Sequence, residues 1–309
     1  MAEDSDPVYF KMNGCYIPKL MYSLSDTEHF EEKFSSFEYR NGDVFVVAFP
    51  KAGLNWTLLC LRELYLGKWG VTKIGERTNE PMFDLLLSKE GKVYEGILED
   101  FRKTFLKHAA SYTSPRLFRS HLPSHIFPAR LVKESGGKII YVSRNPKDTC
   151  TSYYHFMNAF LGEEFQVGWQ QLAERDFLEG RVTFGPWLDH VTGWYDLGEA
   201  DSVLHVTYEE MKCNFKATIQ RIADFIERPV TEEDLVRTTK KCTFESMVNT
   251  AGESLPFDEG SFKNRNQFFR KGIIGDWKNH FTVAQSESFD RELLPKLNER
   301  GINFTYEVA

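Results

Sequence analysis

Apolar residues along the 309-residue chain fall into short runs closed by turn residues, and several of these runs lead into stretches with a three-to-four-residue apolar repeat. "DVFVVAF" (43–49) precedes "WTLLCLRELYL", "KIIYVS" (138–143) precedes "DTCTSYYHFM", and "SVLHVT" (202–207) precedes "YEEMKCNFKATIQRIADFI". A short continuous apolar run predicts a strand covered on both faces, whereas the i, i+3, i+4 pattern predicts a helix with one core-facing stripe. Strand followed by helix, repeated, predicts βαβ units around a parallel sheet. "PRLFRSH", Pro115 to His121, adds a further strand behind a proline start. No repeat, low-complexity tract or Pro/Ser-rich linker divides the chain, so a single α/β domain over 1–309 is expected, with helices flanking a central parallel sheet.

Polar residues follow the runs in a telling way. Lys51, Arg144 and Tyr208 follow three of them, and His121 ends the fourth. Ligands of open parallel sheets bind beyond the carboxyl ends of the strands, so the topology predicts that these four side chains converge at one edge.

Composition narrows the partners. With 41% hydrophobic and 15% aromatic residues the chain can bury a substantial core. A formal charge of -7 argues against nucleic acid, whose phosphates demand a basic excess, and requires any anion site to be a local cluster of Lys and Arg. The five cysteines (Cys15, Cys60, Cys150, Cys213, Cys242) are odd in number and contain no CxxC pair, which predicts free thiols in a reducing compartment and no metal site. The start "MAEDSDPVYFKM" lacks a basic-then-apolar signal pattern, and no apolar run reaches the ~20 residues that span a bilayer. A soluble, cytoplasmic protein with no membrane partner is expected.

"FPKAGLNWT" (49–57) joins strand to helix. Unpaired helix N-terminal N–H groups and the helix dipole favour an anion there; Gly53 lets backbone approach closely and Lys51 adds a mobile charge. The G-x-x-x-x-G-K-[ST] phosphate loop is absent, as is an apolar run ending in a metal-anchoring Asp. The loop is P-loop-like without the magnesium ligands, and an ordinary solvated turn is the plain alternative. After the next run, Arg144 offers a bidentate fork and Ser152 a hydroxyl, although Asp148 here can equally serve as a plain helix cap. "FFRKGIIGDWK" supplies Arg270, Lys271 and Gly272. His121 is placed to remove a proton from an attacking hydroxyl or amine. Phe83 and Phe156 are candidate linings of an apolar acceptor pocket. The segments 72–100, 156–165 and 249–266 are candidate linings or lids.

Taken together, "FPKAGLNW", "SPRLFRSHLP", "RNPKDTCTSYYHF", "YEEMK" and "RKGIIGDWKNHFTVAQSE" resemble the cytosolic sulfotransferases over about residues 40–290. The resemblance implies one α/β domain and 3′-phosphoadenosine 5′-phosphosulfate as donor, with adenosine 3′,5′-bisphosphate as product and no metal. It implies that Lys51 and the backbone of Ala52, Gly53, Leu54, Asn55, Trp56 and Thr57 hold the phosphosulfate, with Trp56 stacking on adenine. Arg144, Ser152, Arg270, Lys271 and Gly272 match the family's 3′-phosphate ligands and Phe269 a further donor contact; Tyr208, Cys242 and Phe244 match nucleoside contacts. His121 matches the catalytic base. Lys51 would stabilise charge on the leaving oxygen, and a sulfuryl group, less negative than a phosphoryl group, needs a metal less. Lys278, Thr282, Val283 and Glu287 fit the family's dimer pattern and imply a homodimer.

Three departures stand out. The loop has Ala52, Leu54 and Asn55 where the family has hydroxyl side chains, Arg119 replaces a lysine two residues before the histidine, and Cys242 replaces a threonine. Two readings therefore stay open: a sulfotransferase acting on a small apolar or aromatic hydroxyl or amine acceptor, and a nucleotide-binding relative with weak or no catalysis. A magnesium-dependent kinase shares the strand-loop-helix logic but lacks the loop's Lys-[ST] pair.

Overall fold

Runs of β-branched and aromatic residues become strands where both faces can be covered. The computed structural model describes residues 9–18, 30–65, 82–87, 101–112, 114–160, 166–198, 202–249 and 271–308. Two short strands, β1 (Tyr9–Met12) and β2 (Cys15–Pro18), form an antiparallel hairpin. Then β3 (Val44–Ala48), β4 (Leu117–Ser120), β5 (Lys138–Ser143) and β6 (Val203–Thr207) make a four-stranded parallel sheet in the order β4-β3-β5-β6. All four runs read from the sequence as strands lie in this one sheet.

Side-chain alternation divides the core in two. Val44, Val46 and Ala48 of β3 face a cluster with Ile140, Val142, Val206 and the helix Leu54–Tyr65, while Phe45 and Val47 face one with Phe118, Tyr141, Phe83 and Phe127. The period of two in a strand sends successive residues to opposite layers, so unbroken apolarity is what this sheet requires. Phe83 lies fully buried in the second layer, edge-on to Phe45 at 5.0 Å and stacked on Phe34 at 5.5 Å. It is a core ring here, not the wall of an open pocket.

The stretch "YEEMKCNFKATIQRIADFI" departs from its single helical pattern. It forms Tyr208–Cys213 and Phe215–Phe225, separated by Asn214 at φ -132° and ψ 44°. Both halves bury apolar faces, so the periodicity does not register the break.

Candidate active site

Parallel register decides which residues meet at the carboxyl edge. Val47 pairs with Ser120, and Ser143 with Thr207, so His121 emerges level with Ala48 and Arg144 level with Tyr208. In strand order the edge reads His121, Lys51, Arg144, Tyr208, and the chain leaves the central β3–β5 pair in opposite directions, the topological arrangement that opens a crevice.

His121 is held on three sides. Its ring Nδ1 lies 2.6 Å from the Ala48 carbonyl, its backbone N–H donates to Asp84 Oδ2 at 2.9 Å, and its carbonyl accepts from His190 Nε2 at 3.1 Å. A carbonyl can only accept, so the proton sits on Nδ1 and Nε2 keeps its lone pair. His190 is oriented in turn by the Tyr141 hydroxyl, 3.0 Å from its Nδ1, and burial drives its pKa down to about 3. Burial likewise lowers His121 to about 4; the positive charges of Arg119 and Lys51 add to this, and the bond to Ala48 opposes it. The imidazole is therefore neutral at physiological pH. Arg119 is half-buried on β4, and its charge reaches both His121 and Asp84. Asp84 is fully buried, accepts a 2.5 Å bond from Ser120 Oγ, and is pushed up by burial to about 7.

The loop after β3 is tight. Lys51 (φ 71°) and Gly53 (φ 116°) both adopt left-handed backbone, and a Cβ on Gly53 would come within 3.0 Å of the Tyr208 ring. Only glycine satisfies both demands. The Ala52 N–H donates to Phe49 O at 3.1 Å, and the Thr57 hydroxyl turns inward to Gly53 O and the Met211 sulfur. At the start of the helix Leu54–Tyr65, the N–H groups of Leu54, Asn55 and Trp56 stand outside the helical ladder, where an anion can take them. Ala52 and Leu54 are buried against the core, while Lys51, Gly53 and Asn55 are half-buried. Lys51 Nζ sits 4.6 Å from the Phe156 ring centroid, so that candidate pocket residue does join the lysine.

Trp56 is fixed by its indole N–H, which donates to Cys242 O at 2.9 Å, and by Phe215, stacked at 5.9 Å. Cys242 meets Trp56 through its backbone carbonyl, while its thiol is buried against Cys60 in the core. Arg144 stacks on Tyr208 at 4.2 Å and donates from Nη2 to Ile273 O at 2.9 Å, while its buried Nε has no hydrogen-bond partner among the described residues. A phosphate oxygen is the acceptor such a guanidinium fits. Ser152 lies half-buried in the second turn of the helix Pro146–Phe160. Gly272 (φ 64°) lies under Phe244, and Lys271 Nζ reaches Asp276 Oδ1 at 2.6 Å. Phe269 and Arg270 lie outside the described residues, as do most of the candidate lid segments.

Several residues of the site escape sequence reading. Asp84 and His190 come from remote segments to fix His121, and Phe184, at φ 62°, brings its ring 5.5 Å from the imidazole. Glu209 is buried; its Oε1 accepts from Asn145, and burial raises it to about 7. The "YEE" following a strand was the available signal for Glu209. No local pattern marks Asp84 or His190.

The profile of the family described as "Sulfotransferase domain" matches residues 41–301. Rabbit (Oryctolagus cuniculus) "Amine sulfotransferase" is 35% identical, with 99% of this chain and 96% of that protein aligned. Human (Homo sapiens) "Sulfotransferase 2B1" is 34% identical over 92% of this chain and 73% of its own length. Among solved structures, mouse sulfotransferase SULT7A1 complexed with PAP superposes with a TM-score of 0.69 at 25% identity, covering 94% of each chain. Retinol dehydratase in complex with androsterone and PAP, at 18% identity and TM-score 0.71 over 98% of this chain and 93% of its own, shares the fold.

Proposed function

This chain belongs to the sulfotransferase-domain family, and from that premise we propose that it moves a sulfuryl group from 3′-phosphoadenosine 5′-phosphosulfate to a hydroxyl or amine of a small apolar or aromatic acceptor. The observation that carries the reading is the row His121, Lys51, Arg144, Tyr208 along one sheet edge, with the histidine neutral and its Nε2 lone pair retained.

The donor supplies an activated sulfuryl group. Lys51 places a positive charge for the leaving oxygen, and the N–H groups of Leu54, Asn55 and Trp56 give preorganised donors for the phosphate. His121 Nε2 takes the acceptor's proton as the nucleophile attacks. Arg144, Ser152, Lys271 and Gly272 hold the 3′-phosphate, with Tyr208 and Trp56 at the nucleoside. Burial keeps the imidazole uncharged, and the positive charges of Arg119 and Lys51 add to that.

The test is a mass-spectrometric screen of phenols, steroids, alkyl alcohols and amines with donor, chelator and no added metal. Sulfated product from at least one class is expected. Tight binding of adenosine 3′,5′-bisphosphate with no product from any class would move the protein to the nucleotide-binding reading.

Gly272 gives a local check on the donor site. A methyl group there would fall 2.1 Å from Phe244 Cδ2 on a backbone of φ 64°. Gly272→Ala is expected to weaken binding of the bisphosphate about tenfold or more, since the left-handed backbone alone costs ~1–2 kcal/mol. An unchanged calorimetric dissociation constant would remove Gly272 from the site.

Pairing of two copies is also part of the reading. Val283 is 75% exposed at the first turn of the helix Val283–Asn298, which Thr282 caps through Gln285. Glu287 is exposed on the same helix, and Lys278 is ion-paired with Glu307. Light scattering at micromolar concentration is expected to give twice the chain mass, and Val283→Asp the single mass; a monomeric parent protein would end the proposal.

A further inference from the structure

Asp148 sits in the first turn of the helix Pro146–Phe160, where a carboxylate commonly caps the helix. It does not do so here. Asn145 is the cap, its Oδ1 accepting from the Asp148 N–H at 2.8 Å. The Asp148 carboxylate turns away from its own helix and is fully buried. Its Oδ2 accepts from the Gly275 N–H at 2.8 Å and from Asn145 Nδ2 at 2.9 Å, and its Oδ1 accepts from the Trp277 N–H at 3.0 Å. Arg144 Nη2 lies 3.8 Å from the same Oδ2.

We infer that Asp148 is the positioning residue of the 3′-phosphate subsite, joining the segment that carries Lys271 and Gly272 to the strand end that carries Arg144. This inference rests on the sulfotransferase reading. A phosphate gripped by cations from two separate segments needs both held at one spacing. Among the described residues, two of the links between those segments lie beside Arg144 itself. One is the Arg144 bond to Ile273 O, made by a side chain that a phosphate also recruits. The other is Asp148, whose hydrogen bonds come from two backbone N–H groups and Asn145, with Arg144 Nη2 only in the longer 3.8 Å ion-pair contact, and so the loop is held whether or not Arg144 is engaged. Asn145 is braced from behind by Glu209 Oε1 at 2.9 Å and Thr305 O at 3.2 Å. Gly275 takes left-handed backbone (φ 89°), which bends the chain to bring both N–H groups onto one carboxylate. Burying a carboxylate for loop tethering is costly unless several donors meet it, and three do. Loss of the carboxylate would strand two backbone N–H groups and let the Lys271 segment drift from Arg144.

The test measures calorimetric dissociation constants of adenosine 3′,5′-bisphosphate and adenosine 5′-monophosphate for the parent protein, Asp148→Ala and Asp148→Asn, with thermal midpoints alongside. The asparagine variant keeps the volume and one acceptor, which guards against simple failure to fold. The bisphosphate is expected to weaken about 10- to 100-fold in the variants, while the monophosphate stays within about twofold, because only the 3′-phosphate senses the displaced segment. Equal weakening of both nucleotides, or of neither, overturns the inference while leaving the sulfotransferase reading intact. A parent protein with no preference for the 3′-phosphate would overturn both.

Discussion

His121→Asn is expected to lower kcat by about 10²- to 10⁴-fold, the usual worth of a positioned general base, while adenosine 3′,5′-bisphosphate binds within about twofold of the parent protein. Asparagine's amide can still donate to the Ala48 carbonyl, and the backbone bonds to Asp84 and His190 do not depend on the side chain. What it loses is the Nε2 lone pair. Parent-like turnover in this variant would rule out the histidine as base. The pH profile gives a second reading of the same group. Because its pKa is lowered to about 4, chiefly by burial, lowering the pH protonates the base only in that region. The acid limb of kcat/KM should therefore lie near pH 4, with the histidine neutral throughout the physiological range. A limb near the ordinary histidine value of ~6.5 would mean that burial does not depress this imidazole.

The sheet was legible in the sequence because each of its strands is a continuous apolar run, and a parallel strand covered on both faces leaves no other pattern. The convergence of Lys51, His121, Arg144 and Tyr208 then followed from topology alone. The hairpin β1–β2 also carried its signal: Asn13 (φ 48°) and Gly14 (φ 83°) form the turn that Asn-Gly favours, with Met12, Cys15 and Ile17 buried beside it. Its strands are only four residues long, too short for periodicity to stand out. Asp148 departs from the plain-cap alternative for a different reason. An acid in a first turn suggests a cap, yet Asn145 directly before Pro146 was the stronger cap signal, since proline suits the first helical position. Cys242 shows the limit most clearly. The family resemblance implied a thiol near the nucleoside, but the side chain meets Cys60 in the core, and it is the carbonyl that accepts from the Trp56 indole. Which side of a backbone faces a ligand depends on tertiary packing, and no local pattern encodes it.

Arg116→Ala is expected to cost ~3–5 kcal/mol of stability, as removal of one partner from a buried ion pair does, read as a fall in the denaturant midpoint. Arg116 and Asp43 are both fully buried and meet in a two-pronged pair, Nε to Oδ1 at 2.8 Å and Nη2 to Oδ2 at 2.5 Å. The guanidinium also donates to Ala109 O at 3.0 Å and Glu38 O at 2.6 Å, and lies over the rings of Phe37 and Phe118. Asp43 immediately precedes β3 and Arg116 immediately precedes β4, while Val44 N–H donates to Arg116 O at 2.9 Å. The pair thus locks the amino ends of the two strands whose carboxyl ends deliver Lys51 and His121. Truncating the arginine strands a carboxylate in the core; replacing both partners, as in Asp43→Leu with Arg116→Met, removes the unpaired charge and should recover part of the loss. Recovery stays partial because the carbonyls of Ala109 and Glu38 then lack their donor. A single variant losing less than ~1 kcal/mol, or a double variant no better than Arg116→Ala, would show that the pair does not set this edge of the sheet.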